Sequence, residues 1–429
     1  MRAGPWARRL GQVEIGGVIL IILCISLIPY RYLSVDGIPS FPIHFFPLCT
    51  IAILLVSIVA RGMPVVQILK TDPLILPIVA VLTIAVLSAL GGITAYWSLQ
   101  KVAYYSLTGP LVYLLIRIKL FERQDNRGIL LWAISGTSAL AALYGLSEFW
   151  VGGNWLFGKF FALGNPSYAA MVGEAVFTDR VMGTVGHPVA FGAFLLLCLP
   201  TGVFLACQSG NMRKLVGIAI SAVVVMGIFL TLSRGAWAGL LAAVLFYCVY
   251  QKRRLTVIIL GSLVVLLVVM VSSERLLTSV KSRNPYSQYV ENFRENSRVK
   301  AYSYVAQILP QFVYWGSGTG TYHLLAKPRG SFLNTPDNMY LMRLVETGVI
   351  GMIAWLFLFQ KGARVLVASS RPAEGDPPDR FPALLLAGLV GFLVDMCTFD
   401  ALYFPATRIM FWMLLAIGCS SARKGFERD

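Results

Sequence analysis

Apolar residues fill this chain in long unbroken blocks, and polar residues are confined to the gaps between them. Blocks of roughly the length that crosses a hydrocarbon layer of about 30 Å lie at 13–30, 44–60, 73–90, 101–118, 128–150, 187–207, 214–231, 235–250, 255–271, 338–360, 381–398 and 403–420. No block alternates with a period of two, as a membrane barrel would, whereas a helix satisfies its own peptide groups in lipid. The pattern therefore predicts an all-α integral membrane protein of about twelve transmembrane helices. Composition agrees, since 57% of the residues are hydrophobic and only 13% are charged.

Lysine and arginine recur in every second gap: Arg2, Arg8 and Arg9; Arg61 and Lys70; Lys119, Arg123 and Arg127; Arg213 and Lys214; Lys252, Arg253 and Arg254; Lys361, Arg364 and Arg371; Arg423, Lys424 and Arg428. Short cytoplasmic loops retain positive charge, so these gaps and both termini are expected inside the cell. The N-terminal run lacks a small-x-small cleavage site near Ser26 to Arg31 and reads as a retained anchor. On this topology residues 1–271 hold the first nine helices with a smaller outer loop at 151–186. A large outer loop follows at 272–337, and 338–429 hold the last three helices and a cytoplasmic tail. The net charge of +16 is then mostly topology, and positive charge scattered over separate loops does not make a nucleic-acid surface.

The outer side carries the candidate chemistry. Segment 272–337 is basic on the side where short loops avoid positive charge, which fits either a long translocated loop or a canopy over an anionic substrate. Glu148, Arg343, Glu346, Asp395 and Arg408 all fall at the outer ends of their spans, and none falls at the centre of a span, where an ion-coupled transporter concentrates charge. Arg343 and Glu346 are three apart, the spacing of an intrahelical ion pair. Arg234 lies between two apolar runs with almost no loop around it, so a buried and functional arginine is expected there. The seven cysteines lie mostly in apolar runs, and the three histidines are dispersed, so no metal site is expected.

Several short motifs, taken together, carry a resemblance. They are Arg180 to Pro188 (RVMGTVGHP) entering a helix, the Ser233-Arg234-Gly235-Ala236 turn, Gly316 to Gly320 (GSGTG), Asp337 to Leu341 (DNMYL), and Glu346 to Gly351 (ETGVIG). In order, spacing and placement the chain from about 73 to 420 resembles the bacterial O-antigen ligase and O-antigen polymerase family. The resemblance implies a glycosyltransferase-C-like membrane fold in the bacterial inner membrane. It also implies transfer of a glycan from an undecaprenyl-pyrophosphate-linked oligosaccharide at the periplasmic face, with no cofactor and no metal. The acceptor would be a second lipid-linked glycan or lipid A-core, and a chain-length regulator is a candidate partner.

Displacing a pyrophosphate from an anomeric carbon requires a stabilised leaving group and an activated hydroxyl. Arginine suits the first task because its planar fork grips phosphate oxygens and stays charged in a poorly hydrated cleft; Arg234 and Arg298 are the candidates. Asp337 is the candidate base, with helix capping as its alternative duty. Arg180, His187, Asn338, Arg343, Glu346, Gly318 and Gly320 are candidate substrate-binding residues, His187 also being positioned to cap a helix and the glycines to make a plain turn. Many members of the family carry histidine where this chain has Asp337, and the departure favours polymerase over ligase. A transporter and a non-catalytic scaffold for polysaccharide assembly remain as alternatives.

Overall fold

The computed structural model describes residues 5–27, 52, 63–122, 125–151, 154–155, 180–252, 285–326, 335–371 and 379–420. Among them the chain forms helices α1 (Pro5–Leu27), α2 (Met63–Thr71), α3 (Ile75–Gly91), α4 (Ala95–Leu107), α5 (Pro110–Glu122), α6 (Asn126–Val151), α7 (Pro188–Ala206), α8 (Asn211–Leu230), α9 (Arg234–Tyr250), α10 (Pro285–Phe312), α11 (Tyr322–Ala326), α12 (Met339–Ser369), α13 (Phe381–Asp395) and α14 (Pro405–Cys419), with no strand. Four of these, α6, α7, α8 and α12, are long and apolar enough to cross a membrane. Five more, the Glu14–Leu27 stretch of α1 together with α3, α9, α13 and α14, are apolar but shorter. The expected spans 44–60 and 255–271 lie outside the described residues, apart from residue 52.

Two helices fill the centre. α7 is apolar on every side and α14 is buried along its whole length, the signature of a helix surrounded by others. By contrast, α8 buries only Gly217, Val224, Gly227 and Ile228, one stripe, and exposes Met212, Leu215, Ile218 and Met226. The outward faces of α3 and α6 are likewise apolar and exposed. Water does not tolerate so much contiguous apolar surface, and a hydrocarbon layer does. The molecule is a multi-pass membrane protein.

Three departures from the sequence pattern have local causes. The expected single span 101–118 is two helices, because Gly109 packs where a Cβ would lie 2.7 Å from the Trp412 indole nitrogen, and Pro110 cannot continue a helix behind it. The expected span 338–360 belongs to a longer helix broken at Gly348, whose φ of 68° leaves the helical region. The outer segment 272–337 contains α10 and α11. Tyr304, Val305 and Ile308, spaced as one helical stripe, seat α10 on Met342 and Val345 of α12 in a second, smaller core.

Glycines set a close crossing of α9 and α13. A Cβ on Gly239 would lie 2.5 Å from the Gly391 carbonyl, and one on Gly391 would lie 2.3 Å from that of Gly239. Small residues at such a crossing let two backbones touch. The same ridge brings Gly235, one turn earlier, against Asp395 and Thr398, so the start of α9 is locked to the end of α13.

Candidate functional site

A chain of contacts gathers one end of the bundle around the Arg234 turn. Glu148, near the end of α6, accepts hydrogen bonds from the amides of Met182 (3.2 Å) and Gly183 (2.8 Å) and so fixes the segment after Arg180. Gly183 has a φ of 54°, and a side chain there would collide with Phe191. Only glycine fits. Arg180 Nε donates to the Thr231 carbonyl at 3.0 Å, and the Val181 amide donates to that of Leu230 at 3.2 Å. The two arginine-bearing segments are therefore tied together through backbone atoms.

Beyond Thr231 the chain turns sharply. Leu232 has a φ of 49°, a strained conformation for a branched residue that costs on the order of 1–3 kcal/mol and often marks functional sites. Ser233 then caps α9 by accepting from the Ala236 amide. The Arg234 side chain is exposed, correcting the expected burial. The reason is angular: Gly235 takes the position that faces α13, and Arg234, about 100° away on the first turn, points off the bundle. No hydrogen bond or ion pair holds its guanidinium among the described residues.

Helix α12 enters the same place. Asn338 caps it, its side-chain oxygen accepting from the amides of Tyr340 (3.0 Å) and Leu341 (3.1 Å) while its amide group donates to the Cys397 carbonyl at 2.8 Å. Capping thus falls to Asn338 and not to Asp337. Asp337 sits one residue before, half-buried, with a φ of 47° that aspartate tolerates better than most residues, and it accepts from the Thr335 hydroxyl at 3.2 Å. Nearby, burial together with Tyr304 and Asp337 holds the Tyr322 hydroxyl well above the usual tyrosine range. That hydroxyl is buried without a hydrogen-bond partner. His187 caps α7, its Nδ1 accepting from the Ala190 amide at 3.4 Å, and stacks on Phe399 with ring centroids 5.4 Å apart.

Three helix N-termini, those of α7, α9 and α12, consequently meet at one end of the bundle with Arg180, Arg234, His187, Asn338 and Asp337 around them. Their free amides and dipoles make a region of positive potential. Asp395, noted in the sequence only as a charge at the end of a span, lies beneath the turn, fully buried, with both carboxylate oxygens unpartnered. An aspartate inside an apolar run was its signal.

Arg343 and Glu346 fall elsewhere. They form a long ion pair of 3.7 Å in a separate buried group with Arg408, on the far side of the 399–404 segment. Gly316, Gly318 and Gly320 all take positive φ, but the Gly318 amide donates to the Glu346 carbonyl and the Ser317 amide to that of Val345. The loop thereby fills the break in α12. Arg298 stands on α10, its side chain outside the described residues. Among the described residues no three of His, Cys, Asp and Glu gather into a metal-binding group.

No curated protein matches the chain. The family model described as O-antigen ligase (Wzy_C) matches residues 219–356, about a third of the sequence. That stretch includes Arg234, Arg298, Gly318, Gly320, Asp337, Asn338, Arg343 and Glu346, while Arg180, His187, Asp395 and Arg408 lie outside it. Over residues 219–356 the chain is thus similar to the O-antigen ligase family, the same likeness that its short motifs carry.

Proposed function

We propose that the chain transfers a glycan from an undecaprenyl-pyrophosphate donor to a hydroxyl acceptor at the periplasmic face of the bacterial inner membrane, using side chains and helix ends without a metal. The observation that carries this reading is the meeting of three helix N-termini with Arg180 and Arg234. That combination suits a pyrophosphate: amides and dipoles favour the anion, and a free guanidinium fork can grip two of its oxygens. In this reading Arg234 stabilises the departing pyrophosphate while Arg180 orders the turn, and Arg298, on α10, is the second candidate for the leaving group.

Asp337 takes the proton of the acceptor hydroxyl as the C–O bond to the anomeric carbon forms and the bond to the pyrophosphate oxygen breaks. Its freedom from capping supports this role. His187 and Asn338 frame the acceptor side. Polymerase is the favoured activity, the acceptor being a second lipid-linked glycan, with lipid A-core as the alternative. A break in a membrane helix, such as that at Gly348, is also a mark of transporters, but here the Val349 amide donates to the Val313 carbonyl, and the carbonyls of Val345 and Glu346 accept from the loop. The peptide groups that would hold an ion are engaged.

The test uses full-length protein in lipid with a pyrophosphate-linked donor and acceptor, reading product ladders. Asp337→Asn is expected to lower kcat by about 10²-fold or more with little change in KM for the donor, the pattern of a lost proton acceptor. Ladders of wild-type length and rate from this variant would remove Asp337 as the base.

A further inference from the structure

The buried group around Arg343 and Arg408 is not explained by glycan transfer. Arg408, 3% exposed, donates through Nε to the Thr108 hydroxyl at 2.9 Å and through Nη1 to the carbonyls of Leu402 (2.8 Å) and Tyr403 (3.0 Å). Its Nη2 has no partner, and neither does Nε of Arg343, which is 8% exposed. Their guanidinium carbons lie 4.5 Å and 5.6 Å from the centre of the Tyr105 ring. Lys101 stands close to Arg408 and Glu346. The charges of Lys101 and Arg343 thus face the Glu346 carboxylate beside the Gly320 and Tyr322 amides, and Arg408 adds a further cation to the group. Buried charge left unbalanced in this way is costly.

Both arginines line a small, partly open cavity of ≈ 40 Å³. One wall is charged and aromatic. The opposite wall is Val81, Leu82, Ile84 and Ala85 of α3, a helix whose outer face exposes Leu76, Val79, Leu87 and Leu90. The cavity therefore joins an anion-receptive floor to an apolar rim on the bilayer side. The 399–404 segment separates it from the Arg234 turn: Leu402 lines the cavity, whereas Phe399 and Phe404 pack on His187.

We propose that this cavity is a binding site for a phosphate group, held by the free Nε of Arg343 and Nη2 of Arg408, and that the apolar wall of α3 receives the chain of a phospholipid carrying it. The site is separate from the transfer centre, and its test reads binding rather than catalysis. Full-length protein in a neutral maltoside detergent would be titrated calorimetrically with dihexanoyl phosphatidylglycerol, dihexanoyl phosphatidylcholine and inorganic phosphate.

The expected result is saturable binding of one phosphatidylglycerol, at least tenfold tighter than phosphatidylcholine, and weakened at least tenfold in Arg343→Gln combined with Arg408→Gln. Saturable inorganic phosphate binding lost in the same variant, without preference for the lipid, would support the phosphate site with free phosphate as its source. Should the arginine variant aggregate, Ala85→Phe fills the rim and leaves the charges in place. It is expected to abolish lipid binding while keeping that of inorganic phosphate. Equal binding of the two lipids without saturable phosphate binding, wild-type lipid affinity in a monodisperse arginine variant, or unchanged lipid affinity in Ala85→Phe would each overturn the proposal.

Discussion

The two ends of the helix bundle treat charge in opposite ways. At one end charges are closed into partners. Asp72 receives hydrogen bonds from Arg117 Nε (2.5 Å), the Tyr113 hydroxyl (2.9 Å) and the Leu74 amide (3.0 Å), Lys119 pairs with buried Glu14, and Arg127 meets Asp379 at 2.6 Å, its guanidinium lying over Phe204 and Phe381 with Nε and Nη2 left without a hydrogen bond. At the other end, about 32 Å away along α6 between Arg127 and Glu148, charges are left open. Arg234 is free, Asp395 is buried without a partner, and Arg343 and Arg408 keep unpaired atoms. Closed pairs hold helices in register, whereas open charges on a structure that has to remain folded are there for something that binds. Under the proposed function the contrast separates the part of the molecule that maintains the fold from the part that would do the chemistry.

The most complete effect should come from topology. Among the described residues two cysteines are exposed, Cys397 at the open end and Cys207 at the closed end. In single-cysteine variants, a membrane-impermeant maleimide added to right-side-out spheroplasts is expected to label Cys397 and spare Cys207. Reversed labelling would invert the charge-based orientation.

Next in size is a crossed pair of substitutions. Arg117→Ala strands buried Asp72 and should cost about 3–5 kcal/mol of stability, read as a lowered melting temperature in detergent. Arg234→Ala removes an exposed, unpaired side chain and should move stability by no more than about 0.5 kcal/mol. Equal melting losses would dissolve the distinction between the ends. A smaller effect sharpens it: Lys119→Met alone should destabilise strongly, yet Lys119→Met with Glu14→Leu should recover to within about 1 kcal/mol of wild type, because a buried pair offers little over apolar packing. A double variant as unstable as the single would mean that the pair does more than neutralise itself.

Much of this was legible in the sequence, and the failures have physical causes. The apolar blocks give most of the helices because length and hydropathy are local properties. The division of 101–118 was written in Thr108-Gly109-Pro110, but Gly109 is demanded by Trp412, some three hundred residues away. The break at Gly348 is likewise made by a distant loop, since a glycine in an apolar run reads as helix until something packs against it. At the candidate site the motifs carried Arg180, His187, Arg234, Asp337 and Asn338, which the fold gathers at one end. Glu346 opens one of those motifs and Arg343 lies between two of them, yet both sit in another buried group, because its other members, Arg408 and Lys101, come from helices that no local spacing connects. Arg234 was expected to be buried because sequence shows that a residue lies between spans, not which way its first helical turn points.

The central claim is that the free guanidinium of Arg234 serves the leaving pyrophosphate. Arg234→Lys tests it most directly, since the substitution keeps the charge and an undisturbed fold while removing the two-pronged grip. Measured on monodisperse protein in lipid with a pyrophosphate-linked donor, its turnover is predicted to fall about 10²-fold at unchanged melting temperature. Wild-type turnover in Arg234→Lys would show that the open end needs only a positive charge there, and would contradict the account.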